Sequence, residues 1–327
     1  MSCFLSKFCN HRSLGLLNKL PSHTVRTSLG NRIYFHRRKI QESSNLFYPT
    51  LFTLSVSSGA IVIASICEYE RHASAGFKFN GIKEFVKHSS YKTSNWTGLN
   101  RLWDDLKVSE KLFAAILSLN VLVFLAWQIP SYHPILYKYF TTNALARKIP
   151  VSSLLLSAFS HESPVHLFFN MVALHSFCCG VIQPWGSMSP EEFTAMYLGS
   201  CVVSSLTSII YRRSFGLVGH SLGASGAILS VVAYFAVTHP YQKLSIIFIP
   251  GIEFDAIKGL GGLMTLDSLG LIFKWQTFDH AAHLGGAMFG ILWHKWVSKN
   301  IWENKKYIVK KWIQLKMITK KFLGGQR

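Results

Sequence analysis

Residues 219–238 read GHSLGASGAILSVVAYFAVT, and two folds compete for them. The first five residues match GxSxG, the nucleophile elbow of α/β-hydrolases, which makes Ser221 a nucleophile between a strand and a helix. CVVSSLTSIIY at 201–211 passes locally for that strand. The competing reading takes 219–227 as a string of small residues opening a buried helix, with no charge anywhere from 214 to 242. The surrounding chain decides between them. It lacks the alternating strands and helices of a hydrolase and instead repeats long uncharged runs. The stretch is therefore read as a membrane helix with Ser225 near its start.

Working outward, a spanning helix needs about 20 largely apolar residues. Uncharged runs at 43–67, 112–137, 163–190, 193–211 and 214–242 each meet that length or come close to it. A weaker sixth lies within 244–273, interrupted by Glu253, Asp255, Lys258 and Asp267, and a seventh runs from about Phe278 to Trp296. The layout is one isolated helix, a polar linker over 68–109 that includes SSYKTSNWTGLN, and six helices close together. The expected fold is an all-α polytopic membrane protein of 1+6 helices. Residues 131–162, with Tyr132, His133, Pro134, Tyr137 and Tyr139, suit an interfacial structure. No internal repeat is evident, which disfavours a transporter built from duplicated halves.

Composition agrees. Only 15% of the 327 residues are charged, against roughly 25% in ordinary globular proteins, and 49% are hydrophobic. Disorder and collagen are excluded, and a purely soluble enzyme is disfavoured. The formal charge is nevertheless +19, and it sits at the ends. Residues 1–40 hold eight Lys or Arg and no acid, with Ser, Leu and Phe, the make-up of a mitochondrial targeting segment (1–42). Residues 295–327 hold ten Lys or Arg and only Glu303, interleaved with Trp296, Trp302, Tyr307 and Trp312. Such a pattern could mark nucleic-acid binding. Directly after an apolar helix, the basic tail (299–327) is read instead as a membrane-surface helix drawn to anionic lipid. The remaining body, 41–294, carries a net +2. The six cysteines show no CxxC pair or regular spacing, so neither a disulfide framework nor a zinc site is expected, and no cofactor is implied.

Polar residues inside spans serve packing or function. In HLFFN, His166 and Asn170 are i and i+4, on one helix face a turn apart, and both can donate hydrogen bonds into a dry site; packing glue is the plainer reading. In DHAAHLGGAMFG at 279–290, Gly286 and Gly290 form GxxxG, and His283 lies along the same face. That seam can bring His283 to the Ser225 helix, and a serine and a histidine on facing helices make a nucleophile and its base. His280 is the rival, but it points roughly 120° away from Gly286 and lies nearer the water boundary.

The HxxxN, GASGA and AHLGG boxes, on separate helices and in that order, resemble the rhomboid intramembrane serine proteases. SLGASGAI, FDHAAHLGGA and the extra N-terminal helix are similar above all to the mitochondrial presenilin-associated branch of that family. The resemblance covers roughly 110–312, with the protease core expected over 110–298. It implies a serine endopeptidase of the mitochondrial inner membrane, with Ser225 as nucleophile and His283 as general base. It further implies an oxyanion held by His166, Asn170 and the Ser225 backbone N–H, and a dyad without an acid. Asp279, a turn before His283, is then a helix-boundary residue. Expected partners are single-pass membrane protein substrates and the lipid bilayer, not nucleic acid. The weak sixth span is the expected substrate gate. A catalytically silent, client-binding relative is the alternative. Seven spans from a matrix-side N-terminus put the C-terminus in the intermembrane space and the active site towards the matrix, whereas the basic tail argues for the opposite side.

Overall fold

A computed structural model of the chain describes residues 45–85, 103–182, 187–246 and 249–324. The targeting segment expected over 1–42 lies outside them, as do the polar stretch 89–100 and residues 325–327. The described chain is mostly helical: α1 (Phe47–Phe85), α2 (Val108–Trp127), α3 (His133–Tyr139), α4 (Ser153–Leu156), α5 (Pro164–Val181), α6 (Pro190–Ser214), α7 (Ser225–Thr238), α8 (Ala256–Ile272), α9 (His280–Leu292) and α10 (Lys306–Gly324). Between α9 and α10 the chain continues as a π-helix, Trp293–Trp302. Four helices, α1 as far as Ser74, α2, α5 and α6, are long and apolar enough to cross a membrane. The helices α7, α8 and α9 are shorter, at 14, 17 and 13 residues.

Local sequence explains the helix starts. Ser163 precedes Pro164, and Ser189 precedes Pro190; each serine accepts a hydrogen bond from the backbone N–H three residues on, while the proline sits where no N–H is needed. Burial then orders the bundle. Thirteen of the 25 residues of α6 are buried, and ten of the 14 of α7, but only Ala256, Leu260, Asp267 and Gly270 of the 17 in α8. The larger of two core clusters includes Leu174, Phe193, Tyr197, Ile228, Val231 and Trp293, and a smaller one joins Ala144, Ile149 and Leu154 to Val202 and Ile209 of α6. α6 and α7 form the centre of the bundle, and α8 is a peripheral wall.

Four expectations need correction. The chain is not purely α-helical: β1 (Thr142–Asn143) pairs antiparallel with β2 (His220–Ser221), and β3 (Lys243–Ile246) pairs with β4 (Ile249–Asp255). That second ladder replaces the first half of the expected sixth span. Asp255 ends the hairpin, bonded to Lys243 at 2.6 Å and Lys258 at 2.7 Å, and these two cations hold its carboxyl down to about 2. The expected second span, 112–137, ends at Trp127, and a 3-10 turn and α3 follow as separate pieces.

The linker expected over 68–109 is helical as far as Phe85, continuous with α1. A 39-residue helix is roughly 58 Å long, about twice a bilayer's hydrocarbon core, so its far end must stand beyond the lipid. Charge pairs meet the helix before that end, over residues 68–71. Arg71 donates two bonds to Glu191 at the start of α6, and Glu70 accepts from Trp312 at 2.7 Å and Lys316 at 2.8 Å on α10. Lys305 pairs with Glu68. The basic tail is thus partly a helix docked on α1. Leu315, Ile318 and Phe322 remain exposed, as an amphipathic surface helix would leave them.

Candidate active site

Three small residues set the site by letting α7, α9 and α6 come together. A Cβ added at Gly286 would lie 1.8 Å from the Gly226 carbonyl oxygen, and one at Gly290 would lie 2.1 Å from that of Ser230. One at Gly285 would strike Thr207 of α6. Only glycine permits backbones this close. The GxxxG face of α9 therefore lies on the first turns of α7, one turn from His283.

At the end of that seam, Ser225 Oγ and His283 Nε2 are 2.8 Å apart. Both side chains are partly buried, the histidine at 16% exposure. Ser225 opens α7, so its backbone N–H is one of the donors a helix leaves without an internal partner. Gly223, just before it, has φ +124°, a conformation L side chains rarely adopt, and its missing Cβ makes room for the His166 ring, which would otherwise be 2.8 Å away. The structure thus brings His166 against the loop that leads into Ser225.

Asn170 is buried a turn further along α5, and its Nδ2 donates to His161 Nε2 at 2.9 Å. The same nitrogen faces the Ala224 backbone N–H at 3.4 Å. Two N–H donors on one ring nitrogen make Nε2 an acceptor, so the hydrogen of His161 sits on Nδ1. The His161 ring is fully buried and stacks edge-on to His166 at 4.8 Å. Sequence reasoning missed His161. Its signal was only a third histidine, five residues before His166 in HESPVH.

Ser221 and Asp279 are brought together, away from the dyad. Ser221 lies in β2, with no elbow, and donates to Asp279 Oδ2, as does Ser208 of α6. Asp279 Oδ1 accepts from Ala282 N at 3.1 Å, which caps α9. One carboxylate thereby ties α6, β2 and α9 together. It makes a helix boundary.

A different carboxylate, also missed, stands behind His283. Asp267 Oδ1 is 3.1 Å from His283 Nδ1 and 2.7 Å from His280 Nδ1. His280, the rival base, opens α9 but is not free to act on Ser225. His280 is 5% exposed, pressed against Gly270 of α8, where a Cβ would come within 2.4 Å of its ring. Of the charges expected to break the sixth span, Glu253 and Asp255 lie in the hairpin and Lys258 in the first turn of α8. Asp267 alone is carried deep into the helix and turned inward, at 6% exposure.

Asp267, His280 and His283 are the kind of trio that can hold a metal ion. Their spacing is that of hydrogen bonds instead. Donors about 2.1 Å from a tetrahedral zinc stand about 3.4 Å from each other, well beyond the 2.7 Å between Asp267 and His280.

The Rhomboid domain family matches residues 150–300, which contain every residue named in this site. The chain is 37% identical to the presenilin-associated rhomboid-like protein, mitochondrial, of Rattus norvegicus over 286 residues, covering 86% of this chain and 75% of that one. Against the Homo sapiens protein of the same name the identity is 35% over 291 residues, with the same coverage. Rhomboid protein 1, mitochondrial, of Saccharomyces cerevisiae is 34% identical over 196 residues, 59% of this chain and 55% of that one.

Proposed function

The chain belongs to the rhomboid family, and on that premise we propose that it is an intramembrane serine endopeptidase of the mitochondrial inner membrane. The observation that carries the reading is the 2.8 Å contact between Ser225 Oγ and His283 Nε2 inside a helical bundle. Helices α2 and α5 to α9 form the six-helix protease core, and α1 is the added helix. The substrates are single-pass membrane proteins entering from the lipid.

His283 takes the Ser225 proton as Oγ attacks the scissile carbonyl, then returns it to the leaving amine. The developing oxyanion is met by the Ser225 N–H, by the second Nδ2 hydrogen of Asn170, and by His166. His161 holds Asn170 in place for that task, because its Nε2 occupies the first Nδ2 hydrogen. A substrate helix has its peptide groups bonded internally and must unwind locally before the serine can reach one. Anchors with helix-weakening residues near the membrane edge are therefore preferred. The sparsely buried α8 is the wall that yields to admit them.

Ser225→Ala and, separately, Ser221→Ala should be assayed on a membrane-anchored substrate in detergent. Cleavage disappears with the first and persists with the second. Cleavage retained in Ser225→Ala overturns the mechanism. A wild-type protein that binds such anchors without cutting any of them is a client-binding relative instead.

A further inference from the structure

Asp267 belongs to the wall helix α8, yet it is one of only four residues of that helix turned into the protein. An ionisable side chain in such a segment is costly unless it is paired and serves a purpose. Its Oδ1 faces the Nδ1 atoms of both His283 and His280, while His283 keeps Nε2 on Ser225. A carboxylate has no proton to give, so both ring nitrogens donate to it. A His283 that donates from Nδ1 presents a lone pair at Nε2. That is the tautomer in which Nε2 can accept the Ser225 hydroxyl hydrogen.

We propose that Asp267 is a positioning residue for the base, holding His283 in its proton-accepting tautomer and facing the imidazolium that forms when Ser225 attacks. The inference rests on the protease reading above and deepens it. The relay runs across three helices: Ser225 on α7, His283 on α9 and Asp267 on α8. His280 has a second claim on the same oxygen. It anchors the carboxylate from the far side, and its ring fills the notch at Gly270. The acid is therefore supplied by the wall helix. Asp279, the acidic neighbour of His283 in sequence, is occupied by the α9 cap and two serines.

The alternative is that Asp267 merely glues α8 to α9. The two differ in what isosteric substitution does. In Asp267→Asn the amide keeps the size and an acceptor, but its NH2 can donate to His283 Nδ1 and reverse the tautomer. The full chain in detergent, with a fluorogenic transmembrane substrate, should lose about 100-fold or more in kcat. KM and the thermal unfolding midpoint should stay near wild type, and fluorophosphonate labelling of Ser225 should slow in parallel with kcat. His280→Gln should lose less than Asp267→Asn. If Asp267→Asn does not fold, Asp267→Ser carries the same expectation for kcat. An Asn variant with wild-type kcat, or one that loses only affinity or stability, overturns the proposal, as does a His280→Gln loss equal to that of Asp267→Asn. Ser225→Ala separates the two levels. If it abolishes cleavage while Asp267→Asn is unaffected, only the role of Asp267 falls; if it retains cleavage, the protease mechanism itself falls.

Discussion

Replacing Gly286 with alanine adds one methyl group at the closest approach of α7 and α9. That methyl would lie 1.8 Å from the Gly226 carbonyl oxygen, where an unstrained carbon–oxygen contact is about 3.3 Å. Neither partner is the end of a flexible side chain, so the strain goes into separating the helices, by about 1.5 Å if the movement is radial. Gly226 adjoins Ser225, and Gly286 is one turn from His283. The 2.8 Å hydrogen bond therefore opens towards about 4 Å, beyond the reach of proton transfer. A misplacement of about 1 Å costs on the order of 100-fold in rate, and overpacking of this kind costs about 1–3 kcal/mol of stability. The assay is kcat on a fluorogenic transmembrane substrate in detergent, with the unfolding midpoint measured on the same preparation. Gly59→Ala on α1 is the control, because nothing lies within 4 Å of its added Cβ. A Gly286→Ala enzyme with wild-type kcat and midpoint would show that the helix seam does not set the dyad distance.

Asn170→Ala should lower kcat by about 100-fold, with little change in KM, if its amide meets the oxyanion; a change confined to KM refutes that role. Asp279→Ala removes the α9 cap and should cost about 1 kcal/mol by chemical denaturation while measurable turnover remains. Complete inactivation in a folded Asp279→Ala protein would instead make it part of the reaction machinery. A crosslink locking α8 to α5 should stop cleavage of a membrane-anchored substrate yet leave fluorophosphonate labelling of Ser225 intact. Unchanged cleavage would remove α8 as the gate.

Much of the site was legible because it depends on short spacings. His166 and Asn170 share a face by helical period alone, and the GxxxG of α9 points at a close neighbour whatever that neighbour is. His161 and Asp267 were not legible, for one reason. His161 sits in the loop before α5 and meets Asn170 nine residues on, and Asp267 meets His283 from another helix. Neither a lone loop histidine nor a lone aspartate in an apolar run carries a mark of its partner. The linker failed in the same way: residues 68–85 have no clear amphipathic period, and the helix there is met by Glu191 of α6 and by Trp312 and Lys316 of α10, far away in sequence.

Sequence alone therefore determined that 219–238 opens a buried helix rather than a hydrolase elbow, since the absence of charge and the run of small residues are local properties. It also placed Ser225 and His283 on helices able to meet. Only the tertiary structure decided how they meet, that Asp279 is occupied elsewhere, and that the acid behind His283 comes from a segment read as a broken span. Burial and hydrogen bonding across helices are properties of pairs, and a pair is defined only when the chain has packed.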